Sequence, residues 1–177
     1  MSTRKKSRGF LTVLGVTLIA LGMGLIGYTY FFPEEAEKAA GTARIATGEV
    51  VMKAKGQKYP KVRLGVKGHI RELNRCDGTF IEMGAYETEG LQPVYAAHNN
   101  CKGDVILKLE VDDIIDVKGK GQYKISDIRH TKKTWSTTDE ILGMDGEFIL
   151  QSCYYGENRM KFISMTPVEA EDSELSS

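Results

Sequence analysis

The chain has 177 residues, with 24 Lys and Arg balanced by 24 Asp and Glu. That length suits one domain plus a tail, and the zero formal charge suggests no polyanion partner, so no nucleic acid is expected. The balance conceals a segregation, because Arg4, Lys5, Lys6 and Arg8 sit at one end and Glu169, Glu171, Asp172 and Glu174 at the other.

Residues 1–9 read as a solvated basic tail. Residues 10–32 hold no charged side chain, and that run is about the length needed to cross a ~30 Å hydrocarbon core as a helix. The preceding cations predict a cytoplasmic N-terminus, and Tyr28, Tyr30, Phe31 and Phe32 would form an aromatic belt at the outer interface. The run is long for a cleaved signal peptide, and Glu-rich sequence rather than a small-residue cleavage site follows it. The chain is therefore expected to be a single-pass protein of the cell membrane, with everything after Pro33 extracellular.

Residues 33–60 are rich in Ala, Gly, Glu, Lys and Thr, with no large apolar residue recurring at a regular period. They read as an extracellular spacer that holds the next domain clear of the bilayer, with residues 36–40 continuing the membrane helix for a turn that ends at Gly41. From residue 61 the pattern changes to short apolar runs bounded by Gly, Asn, Asp or Pro, at 61–66, 79–83 and 93–97, each a predicted strand. VILKL at 105–109 fits either a strand or a helical turn. Residues 112–117 and 122–129 flank the glycine-rich turn 118–121 and predict a hairpin, with Tyr123, Ile125 and Asp127 on one face. Thr137 and Glu140 match a capping box and predict a short helix after it. Strands are expected at 147–153 and 159–165, and residues 167–177 read as an acidic disordered tail. The fold class is mainly β, a closed barrel or sandwich with short helices over residues 61–166, behind one N-terminal transmembrane helix.

Three cysteines outside a membrane leave one unpaired. Cys76 and Cys101 are the candidates for a bridge, with three reduced thiols as the alternative. Cys153 would then be free at a strand end, where backbone geometry fixes a side chain and the following loop leaves it reachable. Arg159 opens the next strand, and His98 follows the strand at 93–97. The three residue types suit acyl transfer: a thiolate attacks a carbonyl, a histidine moves the proton, and a guanidinium stabilises the oxyanion. At ordinary pKa values of ~8.5 and ~6.5, the thiolate–imidazolium form is only about one per cent of the neutral pair. No Cys or His pair has zinc-ligand spacing, so no metal and no cofactor are expected. His69 and His130 receive no role.

Five segments carry a family resemblance: VYAAHNN at 94–100, LEVDDIIDV at 109–117, the strand at 123–129, ILQSC at 149–153 and NRMKF at 158–162. In this order the chain resembles the sortases, membrane-anchored cysteine transpeptidases of Gram-positive cell surfaces. ILQSC matches the family's Thr-Leu-x-Thr-Cys at Leu150 and Cys153, with Ser152 for threonine and Ile149 for the first threonine. Ala97 stands where the family commonly has glycine, and the turn between Cys153 and Arg159 is short. The resemblance implies a sortase-like β-barrel with Cys153 as nucleophile, His98 as general acid and Arg159 as the substrate-positioning, oxyanion-stabilising group. It implies a sorting-signal peptide of LPXTG type as substrate. The acceptor would be an amine, from a peptidoglycan precursor or a pilin lysine. The segment 130–146, with Trp135, would be the specificity loop. Two rival readings are a non-catalytic surface binding or assembly module and an L,D-transpeptidase-like enzyme. The Ser-x-Gly-Cys-x-Arg signature of the latter puts its arginine much nearer the cysteine than Arg159 is to Cys153.

Overall fold

A computed structural model describes residues 4–134 and 136–168. The first helix, α1 (Arg4–Phe31), contains a span, Gly9–Phe31, of mean hydropathy 2.2 with no part buried against the rest of the chain. It is long and apolar enough to cross a membrane. Phe32 leaves helical geometry (φ −131°, ψ 59°) and Pro33 opens a second helix, α2 (Pro33–Ala54). Proline suits that first position because its missing N–H would be unpaired there anyway.

The helix α2 runs on through Gly41, where a one-turn continuation of the first helix was expected to end. Its inward positions are Lys38, Gly41, Ile45, Glu49 and Met52, of which Gly41 is buried and the rest half-buried. They recur at helical spacing, but only two are large and apolar, so hydrophobic periodicity was silent. Charge pairs tie this face to the barrel, with Arg44 Nε 3.0 Å from Asp104 Oδ2 and Lys108 Nζ 2.9 Å from Glu49 Oε1.

Eight strands follow: β1 (Lys61–Val62), β2 (Leu64–Gly68), β3 (Phe80–Met83), β4 (Val94–Ala96), β5 (Ile114–Val117), β6 (Gly121–Thr131), β7 (Phe148–Cys153) and β8 (Met160–Pro167). A four-residue helix, α3 (Ile70–Leu73), lies between β2 and β3. The sheet order is β1-β5-β6-β8-β7-β4-β3-β2. Its two edge strands are consecutive in the chain and separated by Arg63 alone. One residue spans less than ~4 Å, so the sheet must curl until its edges meet. The result is a nearly closed barrel, with β1 and β2 as one bent ribbon across the seam. The β-barrel expected from the sequence is present.

Alternation along the strands sorts side chains into two cores. Ile115, Val117, Tyr123, Ile125, Phe148, Leu150, Ile163 and Met165 fill the barrel. Ile149, Phe162 and Val94 point outward and are covered by Ile141 and Met144 of the β6–β7 connection, with Tyr86, Leu91 and Met160 at the margin. The predicted β5–β6 hairpin forms, with Ile115 opposite Tyr123. Its predicted inward face is right for Tyr123 and Ile125 but not Asp127, because the register against β8 shifts between Ile125 and Asp127. That bulge reverses the phase and turns Ile128 to the core.

VILKL resolves as a 3-10 turn (Gly103–Ile106) rather than a strand. The expected helix after Thr137 is reduced to one 3-10 turn (Thr138–Glu140), and the capping box does not form. Thr137 Oγ1 instead bonds Asp139 Oδ2 at 3.2 Å. Trp135 and the acidic tail from residue 169 lie outside the described residues.

Candidate active site

Cys153 is the last residue of β7, and its parity follows from the two cores. Phe148 and Leu150 enter the barrel while Ile149 points outward, so Gln151 and Cys153 continue the outward face. The thiol is free and half-buried, with Gln151 Nε2 3.7 Å from Sγ. Burial pushes the thiol pKa up, and the Lys133 ammonium and the Gln151 amide work against that shift. Burial, and then the charge of Cys153 when ionised, push the Tyr86 phenol up. The Tyr86 ring meets Phe162 edge-on at 5.8 Å. Past it opens a cavity of about 180 Å³ lined by Lys67, Glu82, Tyr86, Leu91 and Val94 among others.

His98 arrives at the same rim by register. β4 pairs with β7 in parallel, Val94 with Ile149 and Ala96 with Gln151, and Ala97 N bonds Gln151 O at 3.1 Å. Carried two positions past the end of β4, the same register would bring His98 level with Cys153. Val94 belongs to the outer core and Ala97 to the inner one, so His98 shares the outward parity of Cys153. The turn after His98 is tight: Cys101 N and Gly103 N both bond His98 O, each at 2.9 Å. Gly103 has to be glycine, since a Cβ there would sit 2.7 Å from His98 O and nearer still to Ala97 O and Ser152 Oγ. His98 Nε2 lies 2.8 Å from Asn74 Oδ1, and no hydrogen bond joins it to Cys153 among the described residues. Cys76 and Cys101 form the disulfide, with Cα atoms 4.8 Å apart.

Arg159, expected to open a strand, is the residue just before β8 at the same rim. β7 and β8 are antiparallel with Cys153 opposite Met160, and Tyr154 N bonds Arg159 O at 3.0 Å. Arg159 is thus one step out of phase with Cys153. Its Nε pairs with Glu157 Oε2 at 2.9 Å, and its guanidinium lies 3.9 Å from the centre of the Tyr154 ring. The cation acting on the thiol in this conformation is Lys133, whose Nζ donates to Tyr154 O at 3.0 Å and whose backbone N–H donates to Asn158 Oδ1 at 3.0 Å. Sequence reasoning passed over Lys133, because nothing local links residue 133 to residue 154. It also passed over His130, whose Nε2 is 3.0 Å from Tyr154 Oη. Burial and then Arg159 hold the His130 pKa down.

The helix α2 braces the loops that follow both His98 and Cys153. Arg44 Nη2 donates to Asn100 O at 2.6 Å, and Tyr155 Oη donates to Asp104 Oδ2 at 3.1 Å. Tyr155 lies directly over Gly41, where a Cβ would come within 2.7 Å of the Tyr155 Cβ. Gly156 takes a left-handed conformation (φ 59°) against the Glu34 backbone. The rim therefore lies against the first turns of α2, two residues beyond the end of α1. No cluster of three or more His, Cys, Asp or Glu suited to a metal ion occurs among the described residues.

No protein-family model and no curated protein matches the chain. One solved structure does resemble part of it. This is a sortase D5 transpeptidase of Clostridium perfringens, 16% identical, covering 60% of this chain and 70% of its own, with a TM-score of 0.39.

Proposed function

We propose that the protein is a membrane-anchored, externally facing cysteine transpeptidase of sortase type, acting on a sorting-signal peptide. The Cys153 thiolate attacks the scissile carbonyl. The tetrahedral intermediate collapses with cleavage of the C–N bond, the His98 imidazolium gives its proton to the leaving amine, and a thioester remains on Cys153. An incoming amine, from a peptidoglycan precursor or a pilin lysine, then attacks the thioester, passes a proton to His98 and releases the thiolate. Arg159 holds the substrate carbonyl after leaving Glu157, and Lys133 favours the thiolate from the side of Tyr154.

The observation that supports this reading is the parallel register of β4 on β7, Ala96 opposite Gln151, which carried two positions further would bring His98 level with Cys153. The half-buried margin of the outer core, Tyr86, Leu91 and Met160, offers apolar surface for an extended peptide. The test uses the full chain in detergent with a panel of LPXTG-like peptides. A thioacyl adduct at Cys153, read by intact mass, is expected, with no adduct and no cleavage in Cys153→Ala. Cleavage retained by that variant would refute the assignment. The second reading, a non-catalytic binding module, draws on the prior engagement of both partners, Arg159 with Glu157 and His98 with Asn74. It gains if every peptide in the panel binds but none acylates Cys153.

A further inference from the structure

We propose that Asn74 is the positioning residue for His98, and that the Cys76–Cys101 disulfide exists to hold it there. The inference deepens the acyl-transfer reading and rests on it for its consequence, though not for its geometry.

The geometry has three parts. First, Asn74 Oδ1 lies 2.8 Å from His98 Nε2. An amide oxygen can only accept, so the proton of the neutral imidazole sits on Nε2 and the lone pair on Nδ1. Nδ1 is then the nitrogen left to take a proton from the thiol or to give one to a leaving amine. When His98 is charged, the same carbonyl still accepts from Nε2–H, so the ring keeps one orientation through the proton transfer.

Second, the segment carrying Asn74 is short and held mainly by local bonds, among them Asn74 N to Ile70 O at 2.9 Å and His69 N to Glu72 Oε2 at 3.0 Å. α3 is four residues long, Asn74 caps its C-terminus, and the next turn bond, Cys76 N to Leu73 O, is stretched to 3.4 Å. Isolated helices this short do not persist in water. Third, the disulfide supplies the missing anchor at both ends of the contact. Cys76 is two residues after Asn74, and Cys101 is three residues after His98, with its own N–H on the His98 carbonyl. The bridge thus joins the loop that orients the ring to the turn that bears it. Cys76 adopts a left-handed backbone conformation (φ 56°), unusual for a residue with a side chain.

The test reads the ring directly and activity separately, both on the full chain in detergent. Nitrogen-15 shifts of the His98 imidazole are expected to report the Nε2–H tautomer in the wild type. That signature should be lost in Asn74→Ala and kept in Asn74→Asp, which preserves an acceptor oxygen. Turnover of a sorting peptide should fall about 10- to 100-fold in kcat for Asn74→Ala, a part of the usual general acid–base contribution, with KM unchanged and with rescue by Asn74→Asp. The Cys76→Ser/Cys101→Ser double variant, with its far-UV spectrum retained, should show the same kcat loss in weaker form. An Nδ1–H tautomer in the wild type, or a tautomer untouched by Asn74→Ala, overturns the contact. A kcat untouched by Asn74→Ala overturns its role. A wild type that acylates no peptide, yet shows the tautomer and its loss, refutes the enzymatic reading while leaving the positioning contact standing.

Discussion

Two glycines of α2 provide an internal control on how that helix meets the barrel. Gly41 is buried under Tyr155, while Gly48 has open space around its Cα. In a free helix Gly→Ala is stabilising by roughly 0.5–1 kcal/mol at either position. At Gly48 only that gain applies. At Gly41 the new methyl group would fall 2.7 Å from the Tyr155 Cβ and closer to its ring, an overlap with the base of the side chain rather than its flexible end. Overpacking of this kind costs about 1–3 kcal/mol, and moving the ring also breaks the Tyr155 Oη to Asp104 bond of 3.1 Å, a loss that offsets the gain in helix propensity. The net expectation is that Gly41→Ala weakens α2 docking by about 1–3 kcal/mol. Hydrogen exchange of the α2 amides in the full chain measures this local opening. Exchange should quicken roughly 5- to 100-fold in Gly41→Ala and slow about 2- to 5-fold in Gly48→Ala. Equal protection by both substitutions would mean that α2 stands free of the barrel, and the account of the rim given above would fall with it.

Two further predictions concern the thiol and the core. Burial raises the Cys153 pKa, so the neutral thiol dominates at neutral pH. Its alkylation by iodoacetamide should climb about tenfold per pH unit up to an inflection above the ordinary thiol value. Lys133→Met removes a cation that favours the thiolate and should move the inflection higher still; a rate plateau below about pH 8 contradicts the burial argument. Ile163 is fully buried on β8 between β6 and β7, so Ile163→Ala should cost about 3–4 kcal/mol in denaturant unfolding. Val66→Ala, at a position 80% exposed, should change stability by less than ~0.5 kcal/mol.

The strands were legible because a barrel wall buries one face, and burial writes itself into alternation, as in Phe148, Leu150 and Ile163 against Ile149 and Phe162. The failures share a cause. At Ser126 a bulge shifts the count by one, and no pattern of period two announces where it will slip. In α2 the buried residue is Gly41, whose contribution is the absence of a side chain under Tyr155, and hydrophobic periodicity registers only what a side chain adds. Thr137 and Glu140 had the right identities for a cap. A single 3-10 turn leaves too little helix for the reciprocal bonds, and Thr137 turned to Asp139 instead.

The site divides along the same line. Cys153 and His98 were legible because each ends an apolar run, and a strand end is visible in one dimension. Their common face was not, since it depends on a parallel pairing between residues 94–96 and 149–151 that skips across two intervening strands, β5 and β6. Groups that act on the pair from farther away left no local trace: Asn74 reaches His98 over 24 positions, and Lys133 reaches the Tyr154 carbonyl over 21. Arg159 shows the converse hazard. Its place in the chain suggested a partner for Cys153, but a turn of five residues between them sets Arg159 opposite Tyr154 rather than opposite the cysteine. In antiparallel pairing one position decides the face. The short turn therefore sends the guanidinium to Glu157 and Tyr154, while the cation that favours the thiolate is Lys133, held on the Tyr154 carbonyl.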